Sequence, residues 1–149
     1  MRAHHQIQRG KRGNALIEFG LAFPLIFAFL IGTFQLGYGF FLYDQLQSVV
    51  RSGARYASTA DFDSAQGGAT FQSNVANVVV YGSPSGGTTP LVRGLATSAV
   101  SVTWQADAKG IPQTVTIKIT SFNFTLLGVA YQLTNKPKSA FIYLGQFLS

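Results

Sequence analysis

From Phe19 to Tyr43 the chain runs for 25 residues without a charged side chain, and seven of its thirteen phenylalanines lie in that run. As a helix rising ~1.5 Å per residue it would be roughly 37 Å long. That is enough to cross a hydrocarbon core of ~30 Å with some tilt. A cleaved secretory signal is the bland alternative, but its apolar core is usually about 7–15 residues and ends in a small-x-small cleavage site. No A-x-A pattern stands just after Tyr38, where such a signal would be cut. A buried core helix is a poorer fit, because the rest of a 149-residue chain is too small to wrap it.

Charge sharpens this expectation. The formal net charge is +6, and charged residues make up only 11% of the chain, against roughly 25% in an average soluble domain. Arg2, Arg9, Lys11 and Arg12 all precede Asn14, with no acidic residue among them. From Asn14 onward the balance falls to +2. Basicity concentrated before an apolar run is the charge pattern of a membrane-targeting element, and it places the N-terminus in the cytoplasm and the remainder outside. A nucleic-acid surface would instead need a basic stripe with interleaved aromatics, so no nucleic-acid partner is expected. Tyr38 and Tyr43 stand near the outer end of the run, where amphipathic rings favour the interface.

Glu18 breaks the apolar pattern at its start. A carboxylate there costs a few kcal/mol unless it finds a partner or reaches the interface. Simple snorkelling is one reading. The flanking residues Lys11-Arg12-Gly13-Asn14-Ala15-Leu16-Ile17-Glu18-Phe19 suggest another. Basic residues precede a glycine, a glutamate follows it by five positions, and an aromatic and an unbroken apolar helix come next. This resembles a class III signal, which a prepilin peptidase cuts after the glycine on the cytoplasmic side while the apolar helix is retained.

The resemblance extends along the chain. Gly13-Asn14-Ala15-Leu16-Ile17-Glu18-Phe19, then Pro24-Leu25, then Gly53-Ala54-Arg55-Tyr56-Ala57 are similar to the TadE-like family. The likeness is best over residues 9–60 and looser to about residue 121. It implies a minor pilin or pseudopilin of the tight-adherence (Flp, type IVc) machinery in the bacterial inner membrane. Its implied partners are a prepilin peptidase, other pilin or pseudopilin subunits, membrane assembly proteins and the bilayer. Cleavage between Gly13 and Asn14 would free the Asn14 amine. In related pilins a glutamate at the position of Glu18, followed here by Phe19, is thought to register subunits by pairing with a neighbour's N-terminal amine. An uncleaved, membrane-tethered binding domain is the alternative.

The expected organisation is a basic leader over 1–13, a helix over 14–60 and a small extracytoplasmic head over 61–149. Pro24 removes a backbone donor inside the apolar run and should kink the helix near Gly20. Ala28 and Gly32 form a small-xxx-small pair. Beyond Tyr43 the apolar residues Leu46, Val49, Val50, Gly53, Ala54 and Ala57 recur at helical spacing. The small ones, Gly53, Ala54 and Ala57, offer a face for the head to pack on. Phe71, Val75, Val78 and Val79 predict a short helix ending near Gly82, although Val78-Val79-Val80 also suits a strand. Alternation at Val100, Val102 and Trp104, and again at Val115, Ile117 and Ile119, predicts two strands joined by a turn over 107–112. A third strand is expected near 140–144. The fold class is therefore α+β: a long transmembrane-to-amphipathic helix packed on a small antiparallel sheet of about three strands.

No catalytic constellation emerges. The chain has no cysteine, and its two histidines, His4 and His5, lie upstream of Gly13. That removes thiol nucleophiles, histidine triads from the mature chain and most transition-metal sites. Asp61-x-Asp63 hints at calcium without the rest of an EF-hand loop. Neither a phosphate-binding glycine loop nor a nucleophile elbow is present. No enzyme activity, cofactor or metal is expected.

Overall fold

The computed structural model describes residues 10–63, 68–108, 110, 112–145 and 147–148. Residues 1–9, with His4 and His5, lie outside them, and so does most of the leader expected over 1–13. The chain divides into two compact units, residues 1–38 and 39–149.

Helix α1 runs from Gly10 to Thr59 without interruption and contains Pro24. In the first unit most of its large apolar side chains, Phe19 and Leu36 among them, are exposed to the surroundings, and Ile31 is half-buried. Aromatics one turn apart line up along it. Phe19 and Phe23 have ring centroids 5.7 Å apart, and Phe23 and Phe27 are stacked at 5.9 Å. Thr33 donates its hydroxyl to the Phe29 carbonyl at 2.9 Å, so its polar group is satisfied within the helix.

The second unit is built around the other end of α1. Leu42, Leu46, Val50, Ala54 and Ala57 are buried there in one hydrophobic core. Helix α2, Ala69–Tyr81, shares this core through Phe71, Val75, Val79 and Val80, with Val79 against Gly53 of α1. The valine triplet 78–80 belongs to α2 and not to a strand, and all three side chains are buried. Consecutive helical residues point about 100° apart, so such a triplet requires neighbours around much of the helix. Gly82 ends α2 with φ 77°, donating its N–H to the Val78 carbonyl, a left-handed cap that glycine takes without a Cβ penalty.

A short 3-10 turn at Thr97–Ala99 leads into the sheet. Strands β2 (Val100–Ala106), β3 (Pro112–Ile119) and β6 (Lys138–Ile142) form an antiparallel three-stranded sheet in the order β2-β3-β6. Val100 pairs with Ile119, Val102 with Ile117 and Trp104 with Val115. The alternation legible in the sequence thus becomes one continuous core face. At the β2 edge, Gln72 of α2 donates its side-chain amide to the Val102 carbonyl at 3.3 Å. The third strand, expected near 140–144, lies slightly earlier, at Lys138–Ile142.

Two further pairings complete the unit. Strands β4 (Ser121–Leu126) and β5 (Val129–Thr134) form an antiparallel hairpin of their own. The two-residue strands β1 (Phe62–Asp63) and β7 (Phe147–Leu148) pair in parallel. The C-terminal segment is thereby tied to the end of α1. Leu144 donates its backbone N–H to the Ser58 carbonyl at 2.7 Å, and the Tyr143 hydroxyl donates to the Ala60 carbonyl at 2.8 Å. Around that junction Phe62, Phe71, Trp104 and Tyr143 meet edge to face, with centroids 5.1–6.4 Å apart.

Tyr143 makes the head sensitive to alkali. Burial, reinforced by the nearby Asp61 charge, raises its pKa above the ordinary 10.0, and a backbone hydrogen bond from Phe62 opposes the shift in part. A raised folded-state value means that the folded chain holds the phenolic proton longer than the unfolded chain. The stabilisation is complete below about pH 10 and is lost as pH rises through the folded-state value. Tyr143→Phe should cost about 1 kcal/mol near neutral pH through the lost hydrogen bond. It should also flatten the decline above about pH 10. Thermal melts of both proteins across that range test this, and an unchanged alkaline decline in the variant would assign it to another group.

Candidate membrane-spanning and assembly surface

The residues that the sequence singles out fall at two places on α1. At its start, Gly13, Asn14, Glu18 and Phe19 are helical and exposed. Asn14 and Glu18 are one turn apart, and the Asn14 amide donates to a Glu18 carboxylate oxygen at 3.4 Å. Gly13 is the fourth residue of the helix. The first four N–H groups of a helix have no intrahelical acceptor, so unwinding this turn breaks few hydrogen bonds.

The helix that follows is apolar on every side. Among the described residues, the span Gly13–Thr59 is long and apolar enough to cross a membrane, and none of its most apolar window is buried by protein. An all-round apolar helix must find either a protein core or lipid. Pro24 lies within this stretch.

Toward the other end of α1, Gly53, Ala54 and Ala57 are buried. A Cβ placed on Gly53 would overlap the Val79 Cγ2 methyl of α2 and would stand 3.5 Å from Ile117 Cδ1 of β3. Glycine is therefore what lets α1 approach α2 this closely.

Residues 13–55 match the family described as TadE-like protein. Over that stretch the chain is similar to TadE-like proteins. The matched stretch begins at the glycine of the expected cleavage site and ends inside the small-residue face, so it takes in Glu18, Pro24, Gly53 and Ala54 but not Ala57. It covers less than a third of the chain, and the helix, hairpin and strands beyond the TadE-like segment lie outside it. No curated protein and no solved structure matches the chain.

The calcium suggestion gains no support. Asp61 is exposed, while the Asp63 side chain and residues 64–67 lie outside the described residues. Among the described residues, no three His, Cys, Asp or Glu side chains gather where a metal ion could be held. One feature that sequence reasoning missed is the β4–β5 hairpin. Its signal was present as alternation at Phe122, Phe124 and Leu126, a Leu127-Gly128 turn, and alternation again at Val129, Tyr131 and Leu133.

Proposed function

We propose that this protein is a membrane-anchored structural subunit, a minor pilin or pseudopilin serving a Tad-type (Flp, type IVc) pilus or a related secretion system. The observation that carries the reading is the unburied apolar helix that begins immediately after Gly13-x4-Glu18, within the TadE-like segment. The helix crosses the cytoplasmic membrane once. The basic leader stays in the cytoplasm and the head stands outside, as the charge distribution favours. A prepilin peptidase unwinds the first turn of α1 and cuts between Gly13 and Asn14. The new amine of Asn14 then lies one turn from Glu18 in its own chain and is free to pair with Glu18 of a neighbouring subunit. In lipid each charge offsets the cost of the other. Phe19 and the aromatic ladder beyond it supply packing surface, and Pro24 supplies a kink. Gly53, Ala54 and Ala57 hold the head on the helix. No catalytic role is proposed for any residue.

Intact mass and N-terminal sequencing test the processing step, on protein extracted from membranes that also contain its prepilin peptidase. The expected product begins at Asn14. A chain that retains Gly13 and the residues before it would leave a tethered domain in place of a pilin-type subunit. A cut beyond Tyr38 would make the apolar run a signal peptide.

A further inference from the structure

The β4–β5 hairpin has an amphipathic design that the core does not use up. The cross-strand pairs Phe122–Leu133, Phe124–Tyr131 and Leu126–Val129 share one face, and Phe124 stacks on Tyr131 with ring centroids 5.7 Å apart. At the base of that face Phe122 is buried, and Phe124 and Leu133 are half-buried against the core, as Leu126 is half-buried beside them. Toward the tip Leu127 is 63% exposed, Val129 53% and Tyr131 48%. No charged residue occurs from Thr120 to Asn135. The tip itself is a two-residue turn in which Leu127 and Gly128 both have positive φ, 50° and 76°. Asparagine or glycine suits the first position of such a turn and a branched apolar residue does not. An exposed leucine held there against its backbone preference points to a role at the tip.

The position of the hairpin indicates what covers it. The Leu126 Cδ1 methyl stands 3.6 Å from the place a Cβ would occupy on Gly39 of α1. Gly39 lies five residues on the apolar side of Asp44, about 7.5 Å of helix rise. Phe40 and Phe41 beside it are exposed. The hairpin therefore ends at the level where the uncharged run of α1 gives way to its charged, head-bearing part.

We propose that the hairpin tip, Leu126 to Val129 with Tyr131, is a second membrane contact, inserted at the headgroup–acyl boundary of the outer leaflet beside α1. This rests on the reading of α1 as a membrane-spanning helix. The chemistry sets the depth. A two-stranded ribbon keeps unpaired backbone N–H and C=O groups along both edges, which the hydrocarbon interior does not tolerate. Ser121, Asn123, Gln132 and Thr134 keep the base of the ribbon in water, and Tyr131 suits the interface with a polar hydroxyl on an apolar ring. The contact gives the head a fixed tilt and rotation against the bilayer, which a single helix does not.

The chain has no cysteine, so single cysteines can report depth in the full-length protein. Ala28→Cys, Leu127→Cys and Ser85→Cys, the last in the turn after α2, would each carry an environment-sensitive fluorophore. The proteins are reconstituted into vesicles of phosphatidylethanolamine and phosphatidylglycerol containing lipids spin-labelled at the headgroup or along the chain. The expected result is strong quenching by chain-labelled lipid at Ala28. At Leu127, headgroup-labelled lipid should quench severalfold more than at Ser85. Quenching at Ala28 with Leu127 indistinguishable from Ser85 would overturn the proposal and leave the anchor reading standing. A blue-shifted Leu127 signal that depends on protein density and ignores labelled lipid would overturn it in favour of a protein partner. No quenching at Ala28 would remove the anchor reading, and this proposal with it.

Discussion

Gly53→Val should destabilise the head by about 3 kcal/mol, and Gly53→Ala by about 1–2 kcal/mol. The alanine methyl alone overlaps Val79 Cγ2, and overpacking a dense core typically costs about 1–3 kcal/mol. Against this, alanine gains about 0.5–1 kcal/mol over glycine within a helix, so the milder variant has a smaller net loss. Valine adds two methyl groups to a place with no room for the first. Neither neighbour can retreat into solvent, because Val79 and Ile117 are fully buried. The single tryptophan, Trp104, packs against Phe62 at 5.1 Å and reports the transition by fluorescence in urea titrations of the detergent-solubilised protein. Val79→Ala should recover part of the loss in the Gly53→Ala background, since the two positions touch and their effects are not additive. Equal midpoints for Gly53→Ala and the parent would mean that α1 and α2 are not held at this separation.

Glu18→Ala should leave the protein in the membrane and cut its incorporation into assembled structures by at least a hundredfold. Removing a carboxylate from the start of an apolar helix lowers the cost of insertion, so membrane extraction should recover normal amounts of processed chain. Assembly is different. If Glu18 pairs with a neighbour's N-terminal amine as proposed, breaking one side of that buried pair costs about 3–5 kcal/mol, and each ~1.4 kcal/mol is a factor of ten in an equilibrium. Comparing subunit in sheared or assembled fractions with subunit extracted from membranes separates the two steps. Normal assembly of the alanine variant would reject the registration role of Glu18. Glu18→Gln keeps the hydrogen-bonding capacity and removes the charge, so a defect there as large as in the alanine variant would identify charge as what matters.

The extent to which residues announced their roles differs along the chain. The apolar run, the basic leader and Gly13-x4-Glu18 are local patterns, and reading them needs no tertiary information. The strands at 100–106 and 112–119 were legible because one face is buried and the period of two survives in the sequence. The valines at 78–80 were ambiguous because three consecutive buried residues erase both periods. The hairpin at 121–134 was overlooked although its alternation is clean, since Leu127 occupies a turn position normally marked by asparagine or aspartate.

The sequence by itself determined that an uncharged helical stretch long enough for a bilayer stands near the N-terminus, that basic residues cluster before it, and that a mixed α+β portion follows. These properties depend on composition and period, which are local. Only the tertiary structure decided that Gly53 faces Val79, that the C-terminal segment returns to the end of α1, and that the hairpin tip stands at Gly39. Periodicity states which face of an element avoids water. It does not state what covers that face, because the partners come from distant parts of the chain and are selected by shape and volume when the core closes.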